Sequence, residues 1–271
     1  NALSKLKFKC NNSNTLNKYK FKLQPKAKFR LGFCILIKPF KLKQILWTIK
    51  MMEMPSPMLP LSKEQIRTLP AFQNLAPENI VIIQTLEQCL AIQTELYATT
   101  IFGFDTESKP TFIVDEKSTG PHLIQLASHE KAYLFQVNVE ILNFLKPLLE
   151  SEQHIKVGFG LKNDAIIFRQ KGIAAKQLID LAKNFSSFGY NAQVGVQTAV
   201  ALLFQRYFAK NKKISTSNWA AKQLSPQQIY YASADAYAAL LVFEQLAMLQ
   251  LLSAQLQQQI HPILEVSTSK T

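Results

Sequence analysis

The sequence predicts an α/β domain with a mixed central sheet flanked by helices, and three observations carry that prediction. Short β-rich runs alternate with stretches of helical period from about residue 79 to residue 252. Three of the β-rich runs follow one another with no helix between them, which predicts an antiparallel meander inside that sheet. With 271 residues, 48% of them hydrophobic, the chain can also fill a sizeable core.

The elements follow in order. NIVIIQ (79–84) is β-branched and reads as a strand, and LEQCLAIQTELYA (86–98) has the apolar spacing of one helix. IFGFDTE (101–107), HLIQLAS (122–128) and KAYLFQV (131–137) are the three consecutive strands. VEILNFLKPLLE (139–150) is a helix, IKVGFG (155–160) a buried strand, and KNDAIIFRQKG (162–172) a helix that Gly172 ends. LIDLA (178–182) is a short strand, and VGVQTAVALLFQ (194–205) a helix. A polar connection through NKKISTSNW (211–219) leads to a long helix from Ser225 to about Leu252, followed by a tail over 253–271. No internal repeat is visible.

Ahead of this domain the composition changes. Residues 51–78 hold five prolines and read as an extended lead-in, apart from a short helix at SKEQIRTL. Residues 1–50 hold 13 of the 31 lysines and arginines and none of the 18 acids, so the rest of the chain is formally neutral. The net charge of +13 therefore belongs to a basic leader rather than to the domain. The leader is rich in Lys, Asn, Leu, Phe and Ile without period, and its reading is upstream sequence ahead of a start at Met51, Met52 or Met54. A nucleic-acid-binding arm and a targeting segment are the functional alternatives. Its apolar run LGFCILI (31–37) is far short of the roughly 20 residues that span a bilayer, so no membrane partner is expected. Three cysteines without disulfide or zinc spacing point to a reducing, cytoplasmic setting.

The chemistry lies in the acids. Asp105 and Glu107 stand two apart in a strand, so they share a face near its end. Adjacent carboxylates repel, and a hard cation such as Mg²⁺ or Mn²⁺ relieves that. A pair of solvated strand-end acids explains those two residues equally well. Asp164 opens a helix, where an ordinary cap or dipole partner is the simpler reading taken alone. Tyr231 and Asp235 are four apart on one face of the alanine-rich YYASADAYAALL, where a buried carboxylate needs a partner.

Together these residues resemble the DnaQ-like, or DEDD, 3′→5′ exonucleases, in the subgroup with a tyrosine ahead of the final aspartate. The carriers are FDTES with Asp105 and Glu107, VGFGLKND with Asp164, and YASAD with Tyr231 and Asp235, over about residues 79–248. SNWAAKQLSPQQIYYASADAYAAL, with Trp219, is similar to the ribonuclease D and Werner-type branches. The resemblance implies a ribonuclease H-like fold and a two-metal-ion hydrolase, using Mg²⁺ or Mn²⁺, that releases nucleoside monophosphates from DNA or RNA 3′ ends. It also implies that Asp105 bridges both ions, that Glu107 and Asp235 complete the water-activating site, and that Asp164 holds the second ion, partly through water. Tyr231 would orient the attacking water.

Substrate contacts are expected from Lys210, Lys212 and Lys213, with Arg206, and from Trp219; a solvated loop run explains the lysines equally well. HEKAY (129–133) lacks the second histidine of a zinc protease, and VGFGLKN lacks the third glycine of a dinucleotide fingerprint. The rival from another class is a catalytically idle exonuclease fold that binds nucleic acid or protein. It requires a missing acid, and none is missing.

Overall fold

The structure, a computed structural model, describes residues 60–111 and 119–260. The basic leader, its apolar run and the candidate start methionines lie outside the described residues, as do the last residues of the tail.

Six strands form one mixed sheet: β1 (Ile80–Ile83), β2 (Ile101–Glu107), β3 (Leu123–Ala127), β4 (Ala132–Gln136), β5 (Ile155–Gly158) and β6 (Leu178–Asp180), in the order β1-β4-β3-β2-β5-β6. The expected meander is present, since β2 pairs antiparallel with β3 and β3 with β4. The other pairings are parallel, β1 to β4, β2 to β5 and β5 to β6. β2 therefore lies inside the sheet, with its last residues at the edge where β5 also ends.

Helices cover both faces. Phe102, Phe104, Ile124, Leu126 and Phe135 point to one face and pack with Cys89, Leu96, Ile141, Leu145 and Phe168. Those last residues come from α2 (Leu86–Ala91), α3 (Gln93–Ala98), α4 (Val139–Leu149) and α5 (Lys162–Gln170), which follow the short α1 (Lys63–Arg67). The opposite face is covered by α6 (Val196–Phe204) and α8 (Pro226–Met248), with the four-residue α7 (Lys212–Ser215) between them. Trp219, Leu123, Leu134 and Ala232 close one end of that layer, and Ala127, Ala132, Ala236 and Tyr237 its middle.

Close approach sets the position of α8. Ser225 and Gln228 form a capping box that starts the helix at Pro226. Alanines 232, 236, 238 and 239 are fully buried, so the helix axis can lie near the strands. Gly103 permits the tightest contact: a Cβ there would stand 1.8 Å from the Ala236 carbonyl oxygen. On the other face β5 buries Lys156 completely, with Nζ donating to the carbonyls of Leu148 and Leu149 at 3.1 Å and of Ser151 at 3.3 Å. Burial lowers its pKa to about 7, yet three acceptors at a helix C-terminus need three N–H donors, which only the ammonium has. We therefore read Lys156 as a cationic cap on α4.

Four details depart from the sequence reading. The helix expected over 86–98 is broken at Ile92 (φ −104°, ψ 1°), whose N–H bonds back to Cys89 in a tightened last turn. The long helix stops at Met248 rather than about Leu252, because Gln250 takes a left-handed φ of 58°. The polar connection contains α7, which Asn211 caps. Part of the lead-in packs on the domain: Ala71 bridges to Tyr207, and Asn74 donates to the Ser233 hydroxyl at 2.8 Å and the Tyr230 carbonyl at 3.1 Å. Among the described residues no helix is long and apolar enough to cross a membrane.

Candidate active site

Asp105 and Glu107 project from β2 toward α8 because strand side chains alternate, and Gly103 shares that face. Asp235 sits beside Ala236 on α8, at the place where Gly103 lets helix and strand touch. Ligand oxygens of Asp105, Glu107 and Asp235 all lie within 4.8 Å of one another. The seat of α8 on β2 thus unites Glu107 with Asp235, acids far apart in the chain.

Asp164 approaches from the other face, in the first turn of α5, which begins just past the end of β5. The N-cap of that helix is Leu161 and makes no side-chain cap, so Asp164 is not the cap that local reasoning allowed. Its carboxylate instead accepts a hydrogen bond from the Thr106 hydroxyl. Asp164 is outside the group of three, but its charge acts on both Asp105 and Glu107. Thr106, which sequence reasoning passed over between the two acids, links the two faces; its place in the middle of FDTES was the available signal.

The electrostatics are those of a site short of positive charge. Burial, then the charges of Asp235, Glu107 and Asp164, push the Asp105 carboxyl well above its ordinary range. Burial and Asp235 raise Glu107 to about 8, and burial raises Asp235 to about 6. Lys210 opposes both of the latter shifts. Burial and the same carboxylates push the Tyr231 hydroxyl far upward, so it stays protonated and lies against Asp235 as a donor.

The substrate-contact candidates separate. Lys210, Lys212, Lys213 and Arg206 are all exposed, and Lys210 is the one of the three lysines whose charge acts on Glu107 and Asp235. Trp219 is corrected. It is 0% exposed, donates Nε1–H to the Ser215 carbonyl at 3.1 Å, and its ring centroid is 6.2 Å from that of Tyr231. A side chain enclosed in this way cannot stack on a base; it buttresses Tyr231. Beyond Tyr231, an apolar cleft of about 490 Å³ runs between Phe72, Phe208, Ile214 and Tyr230.

Residues 80–249 match a family model described as 3′-5′ exonuclease. The bifunctional 3′-5′ exonuclease/ATP-dependent helicase WRN of Mus musculus is 27% identical over 150 residues, which is 54% of this chain and 11% of that protein. The chain spans less than half the length of each of the five curated relatives it matches. Among solved structures, the Aedes aegypti Nibbler EXO domain aligns with a TM-score of 0.55 at 17% identity, covering 73% of this chain and 99% of that one. Escherichia coli RNase D aligns with a TM-score of 0.55 at 21% identity, covering 70% of this chain and 50% of that one. The fold is ribonuclease H-like. The chain is thus similar to Werner-type and ribonuclease D proteins, and from the matched segment it belongs to the 3′-5′ exonuclease family.

Proposed function

We propose that this protein hydrolyses phosphodiester bonds at the 3′ end of DNA or RNA and releases nucleoside monophosphates. The observation that carries the reading is the meeting of Asp105, Glu107 and Asp235 with oxygens inside 4.8 Å, in a place where burial holds all three proton affinities up and neighbouring carboxylates add to it at Asp105 and Glu107. Such a set of hard oxygen donors fits Mg²⁺ or Mn²⁺. Asp105, Glu107 and Asp235 would hold one ion. Asp164, whose charge is felt at Asp105, would help hold a second. Bound divalent ions supply charge neutralisation at the scissile phosphate and a water acidic enough to attack it.

The chain's own residues do the rest. Tyr231 keeps its proton and, held beside Asp235 with Trp219 packed against its ring, orients the attacking water. Lys210, ahead of α7, lies within electrostatic reach of the acids and meets a substrate phosphate there. Family membership supports a nucleic-acid substrate, and a solved Trypanosoma brucei RNase D holds RNA U12. A reducing, cytoplasmic setting belongs to the same reading, supported by the sparse cysteines and by Cys89, which is free and buried.

The test incubates the full chain and its Asp105→Asn variant with 5′-labelled DNA and RNA in Mg²⁺, Mn²⁺ or chelator. Stepwise shortening is expected with metal, none with chelator, and a loss of about 10³-fold or more in the variant. Wild-type protein that leaves every substrate intact in both metals would hand the fold over to a binding role.

A further inference from the structure

The feature that the site description leaves over is a buried amide. Gln125 in β3 is 0% exposed, and neither its Nε2 nor its Oε1 has a hydrogen-bond partner among the described residues. Buried amides are almost always paired, because an unpaired one forfeits its hydration for nothing.

Its place in the sheet points to the partner directly opposite it. In the sheet Gln125 stands directly opposite Asp105 on β2 and Leu134 on β4. Residues directly opposite share a face, so Gln125 points with Asp105 toward α8. Along its own strand the neighbours on that face are Leu123 and Ala127. From α8, Ala232 packs with Leu123 and Leu134, and Ala236 with Ala127 and Ala132, which brackets the amide with methyl groups. Ser233, the nearby hydroxyl of the helix, already bonds to Asn74 and to the Tyr230 carbonyl. The Asp105 carboxylate is the polar side chain directly opposite Gln125, with Glu107 one step further along that face, opposite Leu123, and Tyr231 packed against Leu123 and Leu134. Opposed Cβ atoms stand about 5 Å apart, a distance that a glutamine amide and an aspartate carboxylate together span.

We propose that Gln125 is a positioning residue for Asp105, its Nε2–H holding the carboxylate in the orientation in which it joins Glu107 and Asp235 around a divalent ion. The inference rests on the metal-site reading above. Asp105 accepts the Thr106 backbone N–H at 2.9 Å through Oδ1, so a donor from β3 adds a second restraint from the neighbouring strand. Partners that orient a ligand in this way change metal affinity by about 10–100-fold when removed.

The test compares the full-length wild type with Gln125→Met, which keeps the volume and removes the amide, and with Asp105→Asn. Mn²⁺ binding to each is measured by calorimetry without substrate, beside thermal unfolding in chelator. The expected result for Gln125→Met is an unfolding midpoint at or above that of wild type, with Mn²⁺ bound about tenfold more weakly. A space-filling role predicts the opposite pattern, a lowered midpoint and unchanged Mn²⁺ affinity, and that result overturns the proposal. If wild type binds Mn²⁺ no better than Asp105→Asn, the metal-site reading itself falls and takes this role with it. If wild type binds and Gln125→Met matches it within twofold, the role of Gln125 alone is refuted.

Discussion

Replacing Gly103 with alanine tests whether the contact of α8 with β2 builds the site. The new methyl would stand 1.8 Å from the Ala236 carbonyl oxygen, 2.8 Å from its carbon and 3.0 Å from Leu240 Cβ. Carbon–oxygen contacts settle at about 3.3 Å, so helix and strand must separate by about 1.5 Å. The obstacle is backbone in the middle of a helix and cannot rotate aside. Overpacking of this kind costs about 1–3 kcal/mol, and the upper end is expected here. For a domain of this size that is a midpoint lower by roughly 6–12 °C. Activity should suffer more than stability. Gly103 and Asp105 share a strand face, and Ala236 adjoins Asp235, so the same displacement opens the three-carboxylate cluster. A misplacement of about 1 Å in a reacting assembly costs about 10²-fold. The assay pairs urea unfolding with the labelled-oligonucleotide reaction under conditions where the variant remains folded. A variant within about 0.5 kcal/mol of wild type that retains full activity would refute the argument, since it would mean that the close approach is not what unites the acids.

Two further outcomes follow from the electrostatics of the same cluster. Folding raises Glu107 from an ordinary 4.5 to about 8, so in chelator the folded state holds a proton that the unfolded state has lost across that window. Its stabilising contribution is complete below about pH 4.5 and disappears as pH climbs to about 8. Wild type should therefore lose stability relative to Glu107→Gln over that range, by at most roughly 1.4 kcal/mol per pH unit, and divalent ion added at pH 8 should restore it. A difference between the two proteins that stays flat from pH 5 to pH 8 counts against the shift. Lys210→Ala should move two quantities in opposite directions. Mn²⁺ should bind a few-fold more tightly, because a cation facing Glu107 and Asp235 is gone, while KM for oligonucleotide rises about tenfold from a lost charge-assisted contact. Lys212→Ala and Lys213→Ala should leave Mn²⁺ affinity unchanged; equal effects from all three lysines would show that Lys210 has no special position.

The sequence by itself determined what is local and periodic. Short β-rich runs located the strands, the two-residue spacing of Asp105 and Glu107 put both on one face, and the four-residue spacing of Tyr231 and Asp235 did the same on the last helix. Three strands without an intervening helix were enough for the meander. Periodicity says which side chains share a face but not what lies over it, and there the tertiary structure decided. It enclosed Trp219 behind Tyr231 instead of offering it to a base, and it brought Lys210, rather than Lys212 or Lys213, within electrostatic reach of the acids. It tied Asp164 to Thr106 across the end of the sheet, and set the unpaired amide of Gln125 beside Asp105. Each of these depends on how closely elements distant in the chain can approach, which is fixed by side-chain volume at contacts such as Gly103 against Ala236, and no local pattern in the sequence records that distance.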